Sequence, residues 1–261
     1  MAWLLDIPIA VRLAVLFLLA AGVASLLNAA IYGWAWDRRL ISPWQPAPEG
    51  VGPRSWLDRV PIFGWLRLRR DQATLGRGFW IRPLLIELGF ATCIAAFYWW
   101  EVEQLGLIRP QLAAQLFGSS PTVDVSAIAG PLHWQFLAHA LLAAWMTIAT
   151  FIDFDERIIP DEVTFPGTLL GLTLVAIAPM ALLPNVQERL QPPAVGVPLA
   201  TTAGDAIIGP AGGQLYLEPV HLAAPNAWPT QLAGQPGRTS LLIGLGCFWL
   251  WAFALTDRRW P

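Results

Sequence analysis

Long apolar segments dominate the chain and predict helices that cross a membrane. A helix needs about 20 apolar residues to cross a hydrocarbon core about 30 Å thick, and five segments are long and apolar enough. These segments run from Pro8 to Tyr32, Pro83 to Trp100, Trp134 to Ile152, Phe165 to Leu183 and Ser240 to Leu255. We therefore expect an all-α, polytopic membrane protein with about five transmembrane helices in this chain.

The overall composition agrees with a membrane protein. The 261 residues are 56% hydrophobic and 13% charged, with a mean hydropathy of +0.52, which is far from the average of a soluble globular domain. The first apolar segment is too long for a secretory signal, so we expect it to remain as an anchor. The net charge of −2 gives no sign of a nucleic-acid partner, and the lipid bilayer is the expected surrounding.

The basic residues indicate which loops face the cytoplasm. All 16 are arginines, and nine of them lie between the first two apolar segments: Arg38, Arg39, Arg54, Arg59, Arg67, Arg69, Arg70, Arg77 and Arg82. Because cytoplasmic loops carry an excess of Arg and Lys, we expect residues 34–82 inside and the N-terminus outside. Such a loop either contacts anionic lipid or serves only to retain this orientation, and composition alone favours the second interpretation.

The apolar segments and the loops between them divide the chain into five parts. The parts are a first helix (1–33), an Arg-rich cytoplasmic loop (34–82), three helices (83–183), an outer Pro- and Gly-rich loop (184–239), and a fifth helix with a cytoplasmic end (240–261). The outer loop is expected to be mostly irregular. The alternation of apolar and polar residues in 213–218 predicts one short strand within it.

Five carboxylates stand within ten residues where the third apolar segment ends: Asp153, Asp155, Glu156, Asp161 and Glu162. Acids at a membrane boundary favour a functional site, although a solvated helix end with Asp153 paired to Arg157 explains the spacing equally well. At 3.6 residues per turn, Asp155 lies about 200° around the helix from Asp153. We expect different roles for the two, with Asp153 partly desolvated and suited to proton exchange.

Several other polar residues lie inside the apolar segments. Ser25, Asn28 and Tyr32 of the first segment are expected to make hydrogen bonds between helices. Glu87 lies about one turn inside the second segment. We expect it to pair with Arg82 or to reach the cytoplasmic interface.

Four stretches resemble motifs of the type IV prepilin peptidases, polytopic membrane aspartic proteases that cleave leader peptides at the cytoplasmic face. They are Ser25-Leu-Leu-Asn-Ala-Ala-Ile-Tyr32, Trp56-Leu-Asp-Arg-Val-Pro-Ile-Phe-Gly-Trp-Leu66, Arg82-Pro-Leu-Leu-Ile-Glu-Leu88 and Ile152-Asp-Phe-Asp-Glu-Arg-Ile-Ile-Pro-Asp161. The resemblance implies that Asp153 is the first of two catalytic aspartates, with Asp155 and Asp161 as supporting acids. It also implies prepilin or pseudopilin leader peptides as partners and a bacterial inner membrane as the location.

The second catalytic aspartate of that family lies in a Gly-x-Gly-Asp motif, which this sequence does not contain. The nearest match, Thr202-Ala-Gly-Asp205, lacks the first glycine and falls in the outer loop, so we reject Asp205 as the partner of Asp153. A partner subunit or a further C-terminal region would have to supply the second acid. The alternative is a non-catalytic membrane scaffold or assembly component, and a transporter is a third, weaker reading because acids in mid-span are few.

The cytoplasmic loop departs from the family as well. Many members carry paired Cys-x-x-Cys motifs there, whereas residues 34–82 contain no cysteine or histidine. A tetrahedral zinc site needs thiolate or imidazole ligands, so we expect no zinc in this loop. No segment reads as a cofactor motif, and an N-methyltransferase activity is not expected from the sequence.

The arginine distribution makes the first testable prediction, which concerns orientation. In a background with Cys93→Ser and Cys247→Ser, an impermeant thiol reagent applied to intact cells should label Ser119→Cys and not Gln72→Cys, because the Arg-rich loop stays inside. Gln72→Cys should react only after the membrane is opened. Labelling of Gln72→Cys in intact cells would reverse the whole orientation.

Overall fold

The protein folds mainly into helices, as seen in a computed structural model that describes residues 2–39, 41–107, 125–178, 184–193, 196–200, 204–209, 211–219 and 243–250. The helices are α1 (Ile9–Trp34), α2 (Phe63–Leu68), α3 (Gln72–Leu75), α4 (Ile81–Tyr98), α5 (Val125–Glu156) and α6 (Asp161–Ile177). A π-helical turn, Trp99–Glu103, continues α4, and short 3-10 turns cover Ala2–Leu4, Trp56–Arg59 and Arg69–Asp71.

Three of the described helices are long and apolar enough to cross a membrane. They are Ile9–Trp34, Ile81–Glu103 and Ile128–Glu156, which confirms the first three predicted segments. The fourth predicted segment is helical as far as Ile177, but residues 179–183 lie outside the described residues. Of the fifth, only residues 243–250 are described, and these are helical. The described part is therefore a mostly helical chain with three candidate spans.

The chain divides into two compact units, the first of which contains residues 1–5, 105–139 and 165–261. It includes a three-stranded antiparallel sheet formed by β1 (Pro184–Arg189), β2 (Val197–Pro198) and β3 (Gln214–Pro219), in the order β1-β3-β2. The predicted strand is confirmed as β3. Two further strands, β1 and β2, were not predicted: β3 pairs along both edges, and Leu217 packs with Leu199 against Ile128 and Leu132 of α5.

The second unit contains residues 6–104 and 140–164 and is built around the packing of α1 against α4. Its apolar core contains Leu27 and Ile31 of α1, Ile86 of α4, and Ile148 and Ile152 of α5. These side chains are almost fully buried. The last turns of α5, where the acidic residues stand, are therefore held against the α1–α4 pair.

The Arg-rich loop has an ionic core of its own. Asp58 is 1% exposed, and its carboxylate accepts hydrogen bonds from Ser55 N–H at 2.8 Å, Arg67 Nε at 3.2 Å and Arg70 Nη2 at 2.9 Å. Beside it, Arg54 pairs with Asp71 at 2.6 Å. In the described residues no three His, Cys, Asp or Glu side chains come together as metal ligands. Ion pairs thus hold the loop together.

Burial tends to raise the pKa of Asp58, but the Ser55 N–H and the two guanidinium groups together lower it below the ordinary value. A lowered folded-state pKa contributes stability that is present above the unfolded value, about pH 4, and is lost as the pH falls through the folded value. Asp58→Asn should therefore destabilise the protein at pH 7 by about 1–2 kcal/mol, a modest figure because the arginine partners are partly exposed.

Thermal unfolding of the full chain in detergent measures this effect. The difference in melting temperature between the wild type and Asp58→Asn should shrink between pH 7 and pH 3, since protonation removes the same charge in the wild type. Glu49→Gln, an exposed acid of the same loop, is the control and should change little at either pH. An equal difference at both pH values would show that the Asp58 charge does not stabilise the loop.

Candidate active site

Glu87 lies in the second turn of α4 and is completely buried. Its Oε1 accepts hydrogen bonds from Asn28 Nδ2 at 3.2 Å and from Trp65 Nε1 at 2.8 Å, and its Oε2 accepts one from the backbone N–H of Ile62. The expected pairing with Arg82 is wrong, because these donors surround Glu87 and Arg82 lies about 140° around the helix axis. One carboxylate therefore joins α1, α4 and the turn that precedes α2.

The turn that presents Ile62 to Glu87 is strained. Ile62 has φ +65° and ψ −59°, and the N–H of Phe63 donates to the carbonyl of Pro61 at 2.7 Å. This is the rarer, positive-φ γ-turn, which costs a β-branched residue about 1–3 kcal/mol. Gly64 is required next, because a Cβ there would overlap the carbonyl oxygen of Asp58. The bond to Glu87 satisfies the Ile62 N–H and so helps to hold the turn.

Polar residues of α1 complete this assembly. Asn28 Nδ2 also donates to the carbonyl of Pro83 at 3.0 Å, and Ser25 Oγ accepts a hydrogen bond from Trp44 Nε1 at 3.0 Å. Hydrogen bonding between spans is confirmed for Asn28. Ser25 bonds the loop instead of a second span.

Arg82, in the first turn of α4, connects this assembly to the acidic residues. Its Nη1 contacts both carboxylate oxygens of Asp155, at 2.8 and 2.9 Å, and its Nη2 donates to the carbonyl of Phe151 at 3.3 Å. The guanidinium carbon lies 6.0 Å from the ring centre of Tyr32 and 5.1 Å from that of Phe151. Asp155 is thus held in an ion pair between α4 and α5.

Glu156 is held from the other side, by the backbone that follows α1. Its two carboxylate oxygens accept the N–H groups of Trp36, at 2.9 Å, and Asp37, at 2.8 Å. Two successive backbone donors fix the carboxylate and the end of α1 in one geometry. Two of the acids at the end of α5 are therefore used for structure.

Asp153 differs from its two neighbours. Its side chain is exposed, and the described residues offer it neither a hydrogen-bond donor nor an ion-pair partner. The helix turns Asp153 away from the protein core while Ile152 is buried, so the expected desolvation of Asp153 at the membrane edge stays a prediction. Arg157 does not pair with it either: the Arg157 N–H donates to the Asp153 carbonyl at 2.7 Å, and Arg157 ends the helix with φ +57°.

Asp161 and Glu162 begin α6, after a short connection of residues 157–160 that follows α5. Acids suit the N-terminus of a helix because they oppose its dipole. Trp145 Nε1 of α5 donates to the Val163 carbonyl at 2.7 Å and fixes the start of α6. Both acids line a cavity of about 620 Å³, whose other lining residues are Trp34, Ala35, Trp36, Arg38, Glu156, Ile158, Ile159 and Pro160.

Within the second unit, the described residues bring no second acid into contact with Asp153. Asp155 and Glu156 are engaged elsewhere, and no bond joins Asp161 to Asp153 in this part of the chain. Asp205 belongs to the unit that contains the sheet, where it adjoins the bridge between Ala200 and Ala206. The geometry available here is one open carboxylate on a fixed helix end, next to an acidic cavity.

Sequence reasoning missed the parts played by Arg82, Glu156 and Trp36. The signal available for Arg82 was its position at the start of a span, where a single arginine faces an acidic segment in a topology that puts both at one membrane surface. Glu156 and Trp36 gave no such signal, because a backbone donor can belong to any residue.

Comparisons with known proteins agree with the motifs. Residues 140–199, which include the acidic turn, match the model of the Type IV leader peptidase family. The chain is also 24% identical over 163 residues to the prepilin leader peptidase/N-methyltransferase of Myxococcus xanthus (strain DK1622), an alignment that covers 61% of this chain and 39% of the relative. No solved structure matches. The resemblance to prepilin leader peptidases is confirmed, and the chain spans about two fifths of the length of this curated relative.

The contacts of Arg82 predict a measurable effect on stability. Arg82→Gln should lower the free energy of unfolding by about 1–3 kcal/mol, because Asp155 and the Phe151 carbonyl lose their donors. Arg82→Lys should recover only part of this, since one ammonium group cannot reproduce the two-pronged geometry.

Thermal unfolding of the full chain in detergent tests the effect. Arg77→Gln is the control, because Arg77 is exposed and has no carboxylate partner in the described part of the chain. Equal stability of the Arg77→Gln and Arg82→Gln variants would contradict the proposed importance of the ion pair.

Proposed function

We propose that this chain carries the first half of the active site of a prepilin-leader-peptidase-like membrane aspartic endopeptidase, with Asp153 as a catalytic carboxylate. One observation supports the assignment most directly. Asp155 and Glu156 are held by Arg82 and by the backbone after α1, whereas the Asp153 side chain on the same helix end is exposed and has no hydrogen-bond or ion-pair partner among the described residues. A general base has to be open to water and free of a competing partner, and Asp153 meets this requirement among the described residues.

The chemistry needs two carboxyl groups. Ionised Asp153 takes a proton from a water molecule while a second, protonated carboxyl group donates a hydrogen bond to the scissile carbonyl. Two carboxylates that share one proton cannot both ionise easily, so one serves as base and the other as acid. The water oxygen bonds to the carbonyl carbon, the amine takes a proton, and the C–N bond breaks. In this proposal a partner subunit or a further C-terminal region supplies the second acid.

The proposed substrate is the leader peptide of a prepilin or pseudopilin, in keeping with the name of the Myxococcus relative, a prepilin leader peptidase/N-methyltransferase. The cavity beside the acidic turn is the place we assign to it, because Ile158 and Ile159 offer apolar surface and Asp161 and Glu162 offer charge. The excess of arginine in residues 34–82 supports the cytoplasmic face as the side of this site, and the resemblance to prepilin leader peptidases supports a bacterial inner membrane as its location.

The rival function is a non-catalytic scaffold or assembly component that keeps the same fold. The observation in its favour is that no acid contacts Asp153 among the described residues of the second unit. Both functions need the buried Glu87 assembly, so stability cannot separate them. Only cleavage, measured with the second acid present, does so.

Asp153→Asn should abolish cleavage of a leader-peptide substrate by the complete enzyme, with a loss of about 10²-fold to 10⁴-fold, while membrane insertion is unchanged. The reason is that an amide keeps the shape of the carboxylate but cannot accept the proton of water. The assay uses the protein with its native C-terminal region or partner subunit in membranes. Asp155→Asn should have a milder effect, through the position of the helix end.

Asp6→Asn is the matched control, an exposed aspartate at the far end of α1, and should retain activity. Full cleavage by Asp153→Asn would exclude the aspartate mechanism assigned to this residue. A complete protein that inserts and folds but never cleaves any leader peptide would support the scaffold instead.

A further inference from the structure

The Arg-rich loop carries more positive charge than its own acids neutralise. Residues 34–82 hold nine arginines against four acids. Arg54, Arg67, Arg70 and Arg82 are paired with carboxylates. The remaining five are exposed and lack a carboxylate partner among the described residues: Arg38, Arg39, Arg59, Arg69 and Arg77.

Two of these five arginines lie over indole rings. The guanidinium of Arg59 is 5.6 Å from the ring centre of Trp44, and that of Arg69 is 5.8 Å from the ring centre of Trp80. Stacking uses the flat face of a guanidinium and leaves N–H groups at its edge for an anion. Tryptophan itself favours the headgroup level of a bilayer.

Helix α2 exposes apolar side chains on the face away from the core. Gly64, Trp65 and Leu68 are buried, whereas Phe63 is 68% exposed and Leu66 is 48% exposed. Residues 63, 66 and 67 share one helical face, so the outer face presents a phenyl ring, a leucine and an arginine. Apolar side chains flanked by arginine are the pattern of a helix that lies in a membrane interface.

The fold places α2 at the right depth for such contact. Trp65 is bonded to Glu87, which stands six residues inside α4 and therefore about 9 Å from the start of that span. The loop also joins the end of α1 to the start of α4, both candidate spans. Helix α2 is thus held beside the first two turns of a membrane-spanning helix, where lipid headgroups lie.

We propose that α2 and the two arginine–indole pairs form a binding surface for anionic phospholipid. Phe63 and Leu66 insert between headgroups, and Arg59, Arg69 and Arg77 contact lipid phosphates. The occupant is lipid because apolar insertion and excess positive charge occur together at the membrane surface. This surface is separate from the acidic turn, and the proposal does not depend on peptidase activity.

The test places a fluorescent reporter on α2 of the full chain. Leu66→Cys, in a background with Cys93→Ser and Cys247→Ser, is labelled with an environment-sensitive dye and reconstituted in nanodiscs. Emission should shift to shorter wavelength when about 30% phosphatidylglycerol is added to phosphatidylcholine, and high salt should reverse the shift. When Arg59→Gln, Arg69→Gln and Arg77→Gln are combined, the fraction of phosphatidylglycerol needed to produce the same emission shift should rise at least about threefold.

Arg189→Gln is the charge control, because Arg189 lies in β1 and pairs with Glu218, and it should leave the shift unchanged. If the triple variant does not fold, Arg77→Gln combined with Phe63→Ser replaces it, since both positions are exposed. The proposal would be overturned if the emission spectrum did not change on addition of phosphatidylglycerol, or if the shift were the same with the arginine substitutions. It would also be overturned by the same shift produced in phosphatidylcholine discs by inorganic phosphate or by an acidic peptide, which would indicate a free-ion site or a protein partner.

Discussion

The buried carboxylate of Glu87 is the constraint on which the second unit depends. A carboxylate removed from water is costly unless hydrogen-bond donors surround it. Asn28, Trp65 and the N–H of Ile62 supply three donors from two other parts of the chain. The requirement fixes α1, the Ile62 turn and α4 relative to one another. It also explains a strained γ-turn at a β-branched residue, since the turn aims a backbone N–H at the charge.

The position of the acidic turn follows from this assembly. With α4 fixed by Glu87, Arg82 in its first turn lies against Asp155 and the Phe151 carbonyl, while Glu156 holds the backbone after α1. The end of α5 is thereby held on two sides. In the function we propose, this precision matters because a catalytic base has to stand at a defined place relative to its partner acid. Asp153 is then left exposed because Asp155 and Glu156, and not Asp153, make the contacts that hold the helix end.

Sequence reasoning succeeded where the signal is local. Length and apolarity predicted five spans, of which three are confirmed in the described residues, and the alternation at 213–218 predicted β3, because each property can be read within one segment. The four motifs predicted the resemblance to prepilin leader peptidases but not which of their residues contact one another. Glu87 and Asn28 are 59 positions apart, and Arg82 and Asp155 are 73 apart. Strands β1 and β2 also escaped notice, because Pro184–Arg189 is largely polar and a two-residue strand has no pattern.

The central claim is that Glu87 and Trp65 act together in holding the loop on the spans. A double-mutant cycle of Glu87→Gln and Trp65→Phe, measured by reversible unfolding of the full chain in lipid discs, tests it most directly. The account predicts that the double variant is less destabilised than the sum of the single variants, with an interaction energy of about 1–2 kcal/mol. Additivity within about 0.3–0.5 kcal/mol would contradict it, because the two side chains would then stabilise the protein independently.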